Sequence, residues 1–302
     1  MEGGLTLGLL SFWLESLDQS IQINSSCLRE VSRFSTCNQC IKKCPIDALY
    51  IEKDKVKIAD SCNACGECIT VCPMESIEGI IPQRKIYQDT LIYDNKNNVS
   101  EKELLYLYHK GIRKIALMEH QLNKDWEKVL QDVNGILNVM EKAEIETIQK
   151  IAIKEENPEV SRRELLGQFK KEGKLFLFNL TPATWRYNHK DFSLQESFLE
   201  WSFYQIEIDQ NSCNLCQLCF KICPKQVFEI KDQQILIHSN RCVGCHLCED
   251  VCKENSIHIK KHFHNFDEKS YLVIEKQCVN CNQQFLAWEK TEKVCFVCSH
   301  HQ

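Results

Sequence analysis

The pattern of apolar and polar positions divides the chain into short strands and helices. Between residues 86 and 205, short apolar runs alternate with segments whose apolar residues recur at helical spacing. Ser100 and Glu103 form a capping box that opens one of these helices. The order strand, helix, strand, helix, strand predicts a small α/β layer with a parallel sheet. The predicted strands are Thr90–Tyr93, Arg113–Met118 and Ile145–Ile153, and the second helix presents Trp126, Val129, Leu130, Val133, Leu137 and Met140.

Two other segments share a pattern of apolar strand, polar turn and apolar strand. Residues 48–59 and 227–238 each predict a β-hairpin. The first lies in the 17 residues between Cys44 and Cys62, and the second in the 18 residues between Cys223 and Cys242. The matching pattern and spacing indicate that the two segments belong to two copies of one unit.

The N-terminal run Gly4–Leu14 is apolar, but Glu2 precedes it and no lysine or arginine does. These are the wrong flanks for a secretory signal. The run predicts a helix that packs in the core or, alternatively, docks a partner. We therefore expect a cytoplasmic protein, where a cysteine array indicates metal or redox chemistry rather than disulfides.

Composition sharpens this picture. The chain has 302 residues and 20 cysteines, and its formal net charge is −5. The acidic balance argues against a general nucleic-acid-binding surface. No apolar run approaches the ~18 residues of a transmembrane helix. No spacing of residues typical of a catalytic triad, a catalytic cysteine and histidine, or paired catalytic carboxylates is found.

The cysteines form three blocks. Three runs match C-x2-C-x2-C-x3-C and begin at Cys62, Cys213 and Cys242. Pro73 and Pro224 follow the last cysteine of two of these runs. In such a run three cysteines surround one iron–sulfur cluster, and the fourth ligates the other cluster of a pair.

These runs and the hairpins between them resemble the bacterial-type two-cluster ferredoxin, present twice, over roughly residues 27–82 and 206–260. The resemblance implies four [4Fe-4S] clusters bound only by cysteine. The implied ligand sets are Cys213, Cys216, Cys219 and Cys252; Cys242, Cys245, Cys248 and Cys223; Cys62, Cys65, Cys68 and Cys44; and Cys27, Cys37, Cys40 and Cys72.

The last of these sets departs from the ferredoxin pattern. Phe34 occupies the position expected for its first cysteine, and Cys27 is the obvious substitute on a longer loop. A longer loop adds little closure entropy, so the substitution is physically acceptable. The alternative is that Cys27 is a free thiol and that the cluster has three irons or an open site.

The C-terminal tail has a different cysteine pattern. Two C-x2-C knuckles, Cys278 with Cys281 and Cys295 with Cys298, are separated by 13 residues. Strand-like segments Tyr271–Glu275 and Gln284–Trp288 flank the first knuckle. Four thiolates on two knuckles predict a structural zinc site of the zinc-ribbon kind, with a single rubredoxin-type iron as the alternative.

The predicted fold is α+β: two dicluster modules separated by an α/β insert. The expected segments are 1–26 (helical or docking), 27–85 (first module), 86–205 (insert), 206–265 (second module) and 266–302 (tail). The resemblance implies an electron-transfer subunit that serves a larger cytoplasmic oxidoreductase, such as a formate dehydrogenase or hydrogenase, through a redox partner protein. The alternative is a redox- or oxygen-responsive assembly protein that uses a labile cluster and the zinc ribbon.

Overall fold

A computed structural model describes residues 21–79, 81–82, 84–117, 121–149 and 193–300. The chain divides into two compact units. The first comprises residues 1–24, 39–51 and 56–193, and the second comprises residues 25–38, 52–55 and 194–302. Both contain short helices and small sheets, so the α+β class is confirmed. Within the described ranges, no helix has the length and apolarity needed to cross a membrane.

Thirteen short elements cover the first half of the described chain. In order they are β1 (Gln22–Ile23), α1 (Leu28–Val31), α2 (Gln39–Lys43), β2 (Leu49–Glu52), β3 (Lys55–Ile58), α3 (Glu67–Val71), β4 (Ile77–Glu78), β5 (Ile86–Tyr87), β6 (Thr90–Ile92), α4 (Glu101–His109), β7 (Lys114–Ala116), α5 (Lys124–Val139) and β8 (Glu146–Ile148). Apart from α1, these elements build the first unit, with the β2–β3 turn assigned to the second.

The predicted α/β layer is confirmed. Strands β6, β7 and β8 pair in parallel, and β5 adds an antiparallel edge. Helices α4 and α5 supply the crossovers that parallel strands require. Their apolar faces bury Leu104, Leu105, Trp126 and Leu137 among the largest fully enclosed side chains of the unit.

The helix starts follow local capping. Ser100 Oγ accepts the Glu103 N–H at 3.0 Å, which confirms half of the predicted capping box. The Glu103 carboxylate instead forms a buried ion pair with Arg84, with a 2.7 Å contact between Arg84 Nε and Glu103 Oε1. Asn123 Oδ1 caps α5 by accepting the Trp126 N–H at 2.9 Å. Each side chain satisfies a backbone donor that has no partner within its helix.

The second half of the described chain builds the second unit. Its elements are α6 (Leu194–Ser197), β9 (Trp201–Ile208), α7 (Leu218–Ile222), β10 (Phe228–Lys231), β11 (Gln234–Ile237), α8 (Leu247–Asp250), β12 (Ile257–Asn265), β13 (Lys269–Leu272), β14 (Ile274–Gln277), β15 (Gln284–Ala287) and α9 (Phe296–His300), with a 3-10 turn at Ser239–Arg241.

Both predicted hairpins are present, since β2 pairs with β3 and β10 pairs with β11. Their turns place Lys53 with Asp54, and Asp232 with Gln233, at positive φ. Two left-handed residues in a two-residue loop match the twist of the flanking strands. In each cysteine-rich module, the strand before the first cysteine pairs with the strand after the last, as β1 with β4 and β9 with β12.

The predicted strand Tyr271–Glu275 is two strands. β13 joins the hairpin sheet beside β11, whereas β14 pairs with β15 in the tail. The change of sheet occurs at Val273, which is buried and whose N–H donates to Gln233 O at 2.9 Å. A single apolar run therefore contributes one strand to each of two sheets.

The predicted N-terminal helix over residues 4–14 lies outside the described residues. So does the end of the third insert strand, residues 150–153.

Candidate metal centres

Four cysteines of the second unit converge at the end of β9. Cys213, Cys216, Cys219 and Cys252 line one cavity of about 260 Å³. Burial, together with the like charges of the nearby Cys213, Cys216 and Cys252, raises the pKa of Cys219 to about 12. The thiols therefore lie close enough for their charges to repel, and the structure brings this predicted set together.

The second predicted set of this unit also converges. Cys223, Cys242, Cys245 and Cys248 line a small apolar cavity together with Pro224. Burial raises the pKa of Cys242 to about 12 and that of Cys245 to about 11, and Cys223 adds a like charge to both. Buried thiolates without a counter-charge are unfavourable, so a cationic metal centre suits this site.

In the first unit, Cys44, Cys62, Cys65 and Cys68 line a small cavity. Burial raises the pKa of Cys68 to about 12, and the adjacent thiols add to the rise. In all three sets, the last cysteine of one run meets the first three cysteines of the other. This crossed arrangement follows from the packing of the short helices, α2 on α3 and α7 on α8.

In the second unit the packed helices also bring two sites together, and in the first they bring Cys40 near Cys68. The pKa of Cys68 and that of Cys248 are raised mainly by burial. The like charge of Cys40 also raises the pKa of Cys68, and that of Cys219 raises the pKa of Cys248. Each pair consists of the third cysteines of two runs. Because each third cysteine lies within a short helix, the helix contact places the two third cysteines of a pair near each other.

The remaining set is divided between the two units. Cys27 and Cys37 lie in the second unit, and Cys40 and Cys72 lie in the first. Within its own segment Cys37 is tied to the Cys27 loop, because Arg29 Nε donates to Cys37 O at 2.6 Å. The ligand set of Cys27, Cys37, Cys40 and Cys72 stays a prediction.

Cys27 nevertheless follows the first strand of the pair in its module at nearly the same distance in sequence as Cys213 follows the first strand of the pair in the second module. The Asn24 N–H donates to Ser76 O at 2.9 Å, and Cys27 lies three residues later. In the second module the Asp209 N–H donates to Ser256 O at 2.8 Å, and Cys213 lies four residues later. Helix α1 and the residues up to Thr36 are therefore an insertion between the first and second cysteines of this run.

Hydrogen bonds to the fourth cysteines were not predicted from the sequence. The Ser76 hydroxyl lies 3.2 Å from Cys72 Sγ, and the Ser256 hydroxyl lies 3.3 Å from Cys252 Sγ. The Ala48 N–H donates to Cys44 Sγ at 3.2 Å. Donors at the sulfur stabilise a thiolate and tune the potential of a cluster bound to it. The shared spacing Cys-x3-Ser in both modules is the sequence feature that points to the two serines.

The residue three positions after each fourth cysteine has a positive φ. These residues are Asp47, Glu75, Gln226 and Asn255. After three of these left-handed residues the following N–H donates to the cysteine sulfur: Ala48 to Cys44, Ser76 to Cys72 and Ser256 to Cys252. Asparagine and aspartate tolerate this conformation best, and glutamate and glutamine do so at some cost.

The tail cysteines form a compact four-thiol group. The sulfur atoms of Cys278, Cys281, Cys295 and Cys298 all lie within 4.8 Å of one another, and those of Cys281 and Cys295 are 3.7 Å apart. Zinc–sulfur bonds of about 2.3 Å in a tetrahedron place the sulfurs about 3.8 Å apart, so the group fits a tetrahedral metal ion.

Electrostatics favour a thiolate at Cys278. The Cys295 N–H donates to Cys278 Sγ at 3.3 Å, and this bond, with further hydrogen bonds from Cys281 and Asn280, lowers the pKa of Cys278 to about 6. Hydrogen bonding to the sulfurs of Cys281 and Cys295 raises the pKa of Cys298 to about 12. Cys278 is thus prepared to bind a metal ion first, and metal binding at Cys298 releases its proton to solvent.

Comparison with known families agrees with the cysteine geometry. The model of the 4Fe-4S dicluster domain matches residues 205–253, and that of the 4Fe-4S binding domain matches residues 59–75. The first run, with Phe34 in place of cysteine, lies outside both matched ranges. No curated protein matches the chain. The two family matches support iron–sulfur binding by two segments of the chain, each of which resembles a 4Fe-4S binding domain.

Proposed function

We propose that the chain relays single electrons through four [4Fe-4S] clusters as a subunit or partner of a larger cytoplasmic oxidoreductase. The observation that carries the proposal is the approach of third cysteines across packed helices, Cys40 to Cys68 and Cys219 to Cys248. When bound, each cluster accepts and releases one electron.

The protein's own residues limit what else such clusters could do. Each predicted site offers four cysteines, so each cluster is fully ligated and no iron is open to a substrate. Most of these cysteines are buried or half-buried, and the N–H and hydroxyl groups beside their sulfurs would stabilise the negative charge of the bound clusters. These features suit electron transfer between fixed centres and not catalysis at iron.

A contact within the second unit supports a path that continues beyond one module. The Thr36 N–H and hydroxyl both bond to the Asp250 carboxylate, at 2.8 and 2.7 Å. This holds the adjacent Cys37 near Cys245, whose pKa it raises as a like charge. We propose that Cys37 is a ligand, so its cluster and that of Cys245 are neighbours in the relay.

We also propose that the tail holds one zinc ion in a zinc-ribbon-like site. Four sulfurs from two knuckles close the coordination shell, which is typical of structural zinc. The ion stabilises a segment that is too short to build a core of its own. No nucleic-acid partner is proposed, because the formal charge is −5 and bound clusters add negative charge.

The test is the iron, sulfide and zinc content of anaerobically purified full-length protein. We expect about sixteen irons, an equal amount of sulfide and about one zinc per chain. Twelve irons or fewer would contradict the four-cluster proposal. Rapid single-electron reduction by a reductase, followed by electron paramagnetic resonance, should show interacting reduced clusters if they form a relay.

A matched pair of variants tests the assignment of Cys27. We expect Cys27→Ser and Cys213→Ser each to lose about four irons per chain, because each removes the first ligand of one cluster. Wild-type iron content in Cys27→Ser alone would show that Cys27 is a free thiol.

A further inference from the structure

The tail is attached to the same part of the second unit that holds Cys213. Strand β13 adds to the hairpin sheet, and the chain then turns into the tail at Val273. From β13 the Tyr271 hydroxyl accepts the Ile208 N–H at 3.1 Å. Ile208 ends β9 and lines the cavity of Cys213, Cys216, Cys219 and Cys252.

Trp288 connects the tail directly to a predicted cluster ligand. Its indole Nε1–H donates to Cys213 O at 2.7 Å, across 75 residues of sequence. The indole packs edge-on against Tyr271, with ring centroids 6.2 Å apart. Trp288 directly follows Ala287, which is fully buried at the end of β15. The tail therefore fixes the backbone of Cys213 through a rigid side chain.

Phe296 is the second contact. Its side chain lines the Cys213 cavity, and it follows Cys295, a member of the tail four-thiol group. Helix α9, on which Phe296 lies, has only five residues. A helix this short is not stable by itself, so its place depends on the group that Cys295 and Cys298 join.

These contacts give the tail a use beyond its own folding. Four closely spaced thiols repel one another when they ionise, and a metal ion draws them together. The metal-bound tail holds β15 and α9, and these elements carry Trp288 and Phe296. The occupancy of the tail thereby controls how well the Cys213 cavity is closed to solvent.

We propose that the four-cysteine tail is a metal-dependent cover for the site of Cys213, Cys216, Cys219 and Cys252. With the tail metal bound, Phe296 and Trp288 exclude water from the cluster at this site and hold the Cys213 loop in place. The inference rests on the proposed function, because it requires a cluster at this site. Solvent access affects both the potential and the lability of a cluster.

The experiment uses the full chain, anaerobically loaded with iron, sulfide and zinc, and measures the rate of iron release in air-saturated buffer. Phe296→Ala opens the cavity and should release about four irons several-fold faster than the wild type, with its zinc retained. Cys298→Ser weakens tail metal binding, so it should lose zinc and release about four irons several-fold faster as well. Val297→Ala is the matched control, because Val297 lies on the same helix and is 59% exposed; it should behave as the wild type.

A variant that lacks the cluster at this site shows whether the faster iron release comes from that cluster. In Cys216→Ala, which lacks a ligand of this site, adding Phe296→Ala should leave the release of the remaining iron unchanged. A faster release in that background, or equal rates in wild type, Phe296→Ala and Cys298→Ser, would overturn the proposal. Trp288→Phe, which keeps the ring and loses the N–H, should shift the midpoint potential of one cluster only.

Failure of the two proposals is distinguishable. A chain that takes up no iron contradicts the proposed function. A chain that binds its full iron and releases it at a rate independent of Phe296 and the tail metal contradicts the cover alone.

Discussion

Apart from α1 in the first and the 3-10 turn in the second, the two cysteine-rich modules have the same order of elements, but different parts of the chain support them. In the first, α4 supports α3, because Ser100 Oγ donates to Thr70 O and Lys102 Nζ donates to Cys72 O, both at 3.1 Å. In the second, the tail supports the Cys213 loop through Trp288. The strands that close the modules differ too, with two residues in β1 and eight in β9.

The difference shows that cysteine spacing sets the loops around a site but not their protection. Spacing acts locally, through short helices and left-handed residues. Protection comes from whatever segment follows in the chain: an α/β layer in one case and a four-thiol tail in the other. Three variants test this comparison, from the largest expected effect to the smallest.

The largest effect is expected at the buried ion pair of the first unit. Arg84 binds both oxygens of Glu103, at 2.7 and 2.9 Å, and also the carbonyls of Asn97 and Asn98. Arg84→Met leaves the Glu103 carboxylate buried and unpaired, which should lower the free energy of unfolding by about 3–5 kcal/mol. Urea denaturation followed by hydrogen exchange should show this loss in the first unit and leave the second module unchanged.

The control is the double variant Arg84→Met with Glu103→Leu, which removes both charges. It should recover most of the stability that the single variant loses. An equal loss in both units would show that the second module also depends on the α/β layer.

An intermediate effect is expected at equivalent loop positions of the modules. Gly244 and Ala64 each precede the second cysteine of a run, at φ values of 62° and 53°. A Cβ on Gly244 would lie 2.1 Å from the Tyr204 ring, so Gly244→Ala should cost about 1–3 kcal/mol. Ala64→Gly should change stability by less than about 1 kcal/mol, because lost strain offsets gained unfolded-state entropy.

Denaturant unfolding of the metal-loaded protein measures both changes. Replacing Tyr204 by alanine in the Gly244→Ala background should remove the steric part of the cost and leave the cost of positive φ. If Gly244→Ala is as stable as the wild type, the result would contradict a close packing of the Tyr204 ring against Gly244.

The smallest effect is expected at the inserted loop. Asp250→Asn keeps the size of the side chain but weakens its bonds to the Thr36 N–H and hydroxyl, which are exposed to solvent. A loss of about 1 kcal/mol corresponds to about fivefold faster hydrogen exchange at the Thr36 amide. Asp232→Asn, in an exposed hairpin turn, is the matched control and should leave this amide unchanged. Unchanged exchange in Asp250→Asn would show that the carboxylate does not hold the loop.

Much of the fold and of the candidate sites is predictable because it depends on neighbouring residues. The hairpins, the strand–helix order of the insert and the Ser100 cap follow from periodicity and from side chains three or four residues away. The cysteine spacing predicts three site sets that the structure brings together. The strand at Tyr271–Glu275 is only partly predicted, because an apolar run does not show that its two ends pair with different partners.

The sequence by itself therefore determines the number, spacing and loop chemistry of the cysteines, and with them the iron–sulfur character of the protein. Tertiary structure alone decided that Glu103 pairs with Arg84 instead of completing its capping box, and that Trp288 bonds to Cys213. It likewise placed Asp250 on Thr36, 214 residues away. Local hydrogen bonds and covalent spacing leave a pattern in adjacent residues. Contacts between distant segments leave none, because their partners meet only when sheets and helices pack.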